Sequence, residues 1–246
     1  MYSKEAKGEM LPPIKTWDCR YTENPSAGQA FVAPGATIFR AEAVFPEYFA
    51  DLNVLVCPSS STGHSALELW DQGRTLSSLW GGKGAVTQPY SNNGKIEPCE
   101  VFEHPYAYFS WAIEAYMSDQ AHDEDLETNI ENLFTALDTT VAEATKVAEE
   151  DLKVLPGTGN GGRDIIYRLR QGIERFFITD INNPAASALA ASKLAIMWDE
   201  LSLDGLTHFN HVPGGCNVLY ADGHVEYGRF AGNHGRDFPV NHGGDF

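Results

Sequence analysis

A chain of 246 residues with 43% hydrophobic content and five tryptophans has enough apolar material for a packed core, which excludes wholesale disorder. Its formal charge of −17 argues against nucleic-acid partners and against adsorption to anionic lipid, since both depend on Lys and Arg. Cys19, Cys57, Cys99 and Cys216 form no Cys-x-x-Cys pair, so zinc-ribbon and thioredoxin readings fall away; four cysteines leave three disulfide pairings open.

In chain order, residues 3–9 read as the end of a helix stopped by Pro12-Pro13. QAFVA, ATIFRAEAVF and LNVLVC then look like strands, the last ending at Cys57-Pro58. SSSTGHS (59–65) and the Gly- and Asn-rich 81–98 are expected to be loops. HPYAYFSWAIEAYMSDQ (104–120) is a buried helix or a strand, which period alone does not separate. Leu126, Ile130, Leu133, Phe134, Leu137, Val141, Ala144 and Ala148 predict one helix of about six turns across 124–151. Residues 123–151 carry ten acids and one lysine, so the outer face of that helix is negative. PGTGNGG (156–162) lacks the Lys-Ser/Thr of a phosphate loop and is a connector. Ile166, Leu169, Ile173 and Phe176 predict another helix over 163–178, and Asn183 caps a short one through the alanines that follow. KLAIMWDEL (193–201) reads as a strand, and CNVLYA–Asp222-Gly223–HVEYGRF as a hairpin, because Asp-Gly suits the positive φ of a tight turn.

The candidate chemistry collects near the C-terminus. Asp180, Asn182, Asp199 and Asp222 offer the hard oxygen donors of a structural calcium ion, although no EF-hand spacing is present. His211 and His224 are the alternative, transition-metal ligands, without an HExxH pair to place them on one helix face. The plain alternative is that these groups tie down loops around the hairpin.

GGCNVLYADGHVEY, preceded by Asn210-His211, resembles the C-terminal signature of a bacterial prepilin family of planctomycete type, whose motif is His-x9-Asp-Gly. Here ten residues separate His211 from Asp222, one more than the motif, at the Val212-Pro213 step. The likeness extends to YSKEAKGEMLPPIK, VLVCPSS, IYRLRQGIERFFITDINNPAAS and the MWD at 197–199, and is loose between 60 and 160. It implies an α+β, pilin-like globular head with a small antiparallel sheet, a C-terminal hairpin and several packed helices. Residues 1–15 would be the end of an N-terminal pilin helix missing from this sequence, and 16–246 one head with a helical elaboration at about 104–178. The implied role is a non-enzymatic subunit of an extracellular filament or type II secretion pseudopilus. Such a subunit would be extracytoplasmic, would associate with itself or other pilin-like subunits, and would touch the membrane only through the missing helix. Related pseudopilins hold calcium, which adds weight to the oxygen donors. Two rivals stand beside this reading. One is a secreted metal-dependent hydrolase drawing on His208, His211, His224, His234 and Asp222. The other is a carbohydrate-binding or adhesin module using Trp17, Trp70, Trp80 and Trp111.

Overall fold

A four-stranded antiparallel sheet organises the molecule, with helices packed against it, so the architecture is α+β. The computed structural model describes residues 2–17, 37–59, 64–71, 93–102, 105–177, 184–201, 210–211, 214–230 and 238–241. The sheet strands are β1 (Tyr106–Tyr108), β4 (Ala195–Asp199), β5 (Cys216–Tyr220) and β6 (Val225–Gly228); β2 (Leu152–Lys153) and β3 (Ile165–Ile166) make a separate ribbon. The helices are α1 (Tyr2–Glu5), α2 (Ala66–Trp70), α3 (Asp123–Leu137), α4 (Val141–Glu149) and α5 (Pro184–Ala191), joined by several 3-10 turns. No helix among the described residues is long and apolar enough to cross a membrane.

Strand alternation divides the sheet into two working faces. Ala107, Trp198, Cys216 and Val218 meet Leu126, Ile130, Leu133 and Leu137 of α3 and Ala144 and Ala148 of α4 in one apolar cluster. Tyr108 and Met197 point the other way, onto Ile38, Phe39, Leu52, Leu55, Leu69 and Trp70. The first segment of the chain is stitched between these layers. Leu11 N–H donates to the Leu169 carbonyl, and Lys15 N–H to that of Ile38. Two buried cations reinforce it: Arg168 donates to the carbonyls of Ser110 and Leu11, and Lys15 Nζ to those of Cys99 and Val101. Burial lowers the Arg168 pKa from its ordinary value, and five-donor geometry lets its side chain serve two carbonyls at once. Cys99 is disulfide-bonded, whereas Cys57 and Cys216 are buried thiols.

The β4 strand and the hairpin follow the expected reading, and several other elements differ from it. The six-turn helix is two helices: the chain turns at Asp138–Thr140, where the Thr140 side chain accepts from Glu143 N–H and caps α4. The expected helix over 163–178 is instead β3, a bridge from Arg168 to Trp111, and a 3-10 turn at Ile173–Phe176. Gly172, in the left-handed region at φ 75°, breaks the apolar series there. LNVLVC opens as a 3-10 turn, Leu52–Leu55, because Asp51 accepts from Asn53 N–H and closes a local turn. ATIFRAEAVF likewise holds a 3-10 turn at Ala41–Ala43 and a single bridge between Phe39 and Ile14. The elaboration at 104–178 therefore mixes strands with helices. QAFVA and Asn183 lie outside the described residues.

Candidate functional site

Register brings a polar row to one end of the sheet. Tyr106 pairs with Asp199, Trp198 with Val218, and Asn217 with Tyr227. Cross-strand partners share a face, so Tyr106, Asp199, Asn217 and Tyr227 line up across all four strands, on the face turned away from α3. Asp199 is the buried member, at 2% exposure. Its Oδ2 accepts from Asn217 N–H at 2.7 Å and from Asn217 Nδ2 at 2.8 Å, and lies 2.9 Å from His211 Nε2.

Two loops complete the cluster. His211 arrives just before β5, held on one side by Asn210, whose Nδ2 donates to the Pro105 carbonyl. On the other side Gly214 N–H donates to the His211 carbonyl at 2.9 Å. The ring stands edge-on to Tyr227, with centroids 6.2 Å apart. Cys57 follows the Leu52–Leu55 turn, and its Sγ lies 3.9 Å from His211 Nε2. The Tyr106 hydroxyl hydrogen-bonds Cys57; burial, then the charges of Cys57 and Asp199, push its pKa up to about 12. Tyr106 thus stays protonated and serves as a hydrogen-bond donor. A cavity of about 470 Å³ opens over these groups, bounded by Val54, Met197 and Leu219 among others.

Among the described residues, Cys57, Asp199 and His211 are the one group of three such side chains whose donor atoms lie within 4.8 Å of one another. A nucleophilic relay needs one ring nitrogen on the thiol and the other on the orienting acid. Here sulfur, carboxylate and the Asn217 amide all address the same nitrogen, Nε2. The arrangement is suited to holding a cation or locking three segments together, rather than to passing a proton along a line.

Of the residues singled out from sequence, Asp199 and His211 come together. Asp222 and His224 sit elsewhere, at the hairpin turn: Asp222 Oδ1 accepts from His224 N–H at 3.1 Å and lies 2.6 Å from His224 Nδ1. Tyr220, stacked on that ring at 4.6 Å, is three residues beyond Asn217, roughly 10 Å along an extended strand. Asp180, Asn182, His208 and His234 lie outside the described residues. Trp70 and Trp111 are buried at 2% and 1%, which removes them as sugar-stacking platforms; Trp17 is exposed at 36%, and Trp80 lies outside the described residues. Cys57, Asn217 and Tyr106 were not marked by sequence reasoning. Their only signals were the Cys57-Pro58 break after an apolar run and the register of the strands. No family model, curated protein or solved structure matches this chain.

Proposed function

We propose that the protein is a non-enzymatic structural subunit, the head of a pilin- or pseudopilin-like filament presented outside the cytoplasm. The observation that carries this reading is that the residues behind the prepilin resemblance have architectural uses. Gly215, at φ 153°, leaves room where a Cβ would come within 2.5 Å of Tyr227 Oη and 2.6 Å of the Gly228 carbonyl. Cys216 fills the core, and Asn217 clamps Asp199. Gly223, at φ 91°, and Asp222 close the hairpin turn. His211 fixes the preceding loop to the end of β4. A motif spent on holding a hairpin to a sheet fits a building block better than a centre of turnover.

The stitched first segment fits the same role, because whatever precedes it would be rigidly joined to the head. A disulfide at Cys99 suits an oxidising compartment. The partners would be further copies or other pilin-like subunits. Reading the coding sequence ahead of Met1 tests the proposal: an in-frame apolar helix with a prepilin processing site is expected. A stop codon there, or a domain of another kind, overturns it.

A further inference from the structure

We propose that Cys57 Sγ, Asp199 Oδ2 and His211 Nε2 bind one divalent cation of the zinc class, with the fourth position facing the cavity bounded by Val54, Met197 and Leu219. This goes beyond the filament reading and stands or falls separately from it.

Donor chemistry selects the ion. Calcium takes six to eight oxygens, whereas one thiolate, one imidazole and one carboxylate make a mixed set of the kind zinc accepts. With zinc bonds of about 2.3 Å to sulfur and about 2.0–2.1 Å to nitrogen and oxygen, tetrahedral donors stand roughly 3.3–3.6 Å apart. The separations of 2.9 Å between Asp199 and His211 and 3.9 Å between Cys57 and His211 bracket that spacing.

The polar contacts at His211 accommodate such an ion. Asn217 Nδ2 donates to Asp199 Oδ2 at 2.8 Å and lies 3.1 Å from His211 Nε2. An unprotonated Nε2 can accept the second Asn217 amide hydrogen at 3.1 Å, and a protonated ring pairs with the Asp199 carboxylate at 2.9 Å, so this nitrogen and Oδ2 sit where one positive charge can be shared between them. A cation bound by both Nε2 and Oδ2 would take the place of that proton. Asn217 is then left donating to the ligand carboxylate from its backbone and its side chain, the supporting contact that metal-bound acids usually have. Cys57 and Asp199 are 3% and 2% exposed, so the ion would join the Leu52–Leu55 segment to the end of the sheet in a largely dry setting.

Cobalt(II) titrated into the reduced full chain tests this. The expected result is one equivalent bound, with tetrahedral d–d absorption and a thiolate charge-transfer band, both reversed by zinc. Cys57→Ser should lose the charge-transfer band, and Asn217→Ala should keep it while binding 10- to 100-fold more weakly. Should Cys57→Ser fail to fold, His211→Gln, at the more open ligand, takes its place and should lose tetrahedral binding. X-ray absorption at the zinc edge of the unmodified protein should then give one sulfur neighbour. No charge-transfer band, bands that survive loss of a ligand, or a zinc shell without sulfur would overturn the proposal.

Discussion

His211 and His224 flank the same hairpin, yet each takes a different acid. His224 pairs with Asp222 two residues away, in the open, while His211 reaches back to the buried Asp199. Hydrogen bonds from the His224 backbone N–H and ring hold the exposed Asp222 carboxyl below the usual carboxylate range. A carboxyl with a depressed folded-state pKa contributes stability above its unfolded value, and that contribution disappears as pH falls through the folded value. An NMR titration of the Asp222 carboxyl should therefore give a midpoint below about 3.9; an ordinary or raised midpoint would show that the turn hydrogen bonds do not form. Asp199, by contrast, is buried and depends on Asn217 for its hydrogen bonds. Asn217→Ala removes one charge-assisted donor from it and should lower unfolding stability by about 1–3 kcal/mol in urea titrations. A change of a few tenths would mean the clamp is slack. The sequence marks Asp199 and His211 as chemically active types. It hides their meeting with Cys57, 154 residues before His211, because only strand register and a loop bring that thiol in.

Among the elements, those with strong local chemistry are the legible ones. The Asp-Gly turn forces the hairpin, and the apolar run at 194–198 becomes β4. The break at Asp138–Thr140 was hidden because the apolar stripe continues across it: Leu137, Ala144 and Ala148 all enter the same cluster. Periodicity reports which side is buried, not whether the backbone hydrogen bonds run on. The 3-10 turns at Leu52–Leu55 and Ile173–Phe176 were missed for a related reason, since short apolar runs are buried alike in turns, strands and helices. The start of β5 is the most demanding element. Gly215→Ala would set a Cβ against the Gly228 carbonyl at a φ of 153° and should cost well over about 1 kcal/mol. Thermal unfolding compared with Val225→Thr, at a side chain 61% exposed, checks this; the second change should stay within about 0.5 kcal/mol. Equal effects would mean the close approach of β5 and β6 is not maintained.

The whole molecule combines a sheet whose strands β1 and β4 pack on both faces, a first segment threaded between the layers, and a net charge of −17. Composition made the acidic character readable and the prepilin resemblance implied the α+β class, but neither told that Leu11–Lys15 would be built in between the sheet and its covering layers. That placement depends on Arg168 and Lys15, cations buried against backbone carbonyls, and nothing in their local sequence sets them apart from solvated ones. The central proposal is that this domain is displayed on a filament outside the cell. Immunoblotting of sheared surface filaments against soluble cell contents, with immunogold labelling of the same filaments, tests it most directly. The protein is expected in the sheared fraction, with gold along the filaments. Protein confined to the soluble cell contents, with unlabelled filaments, would contradict it.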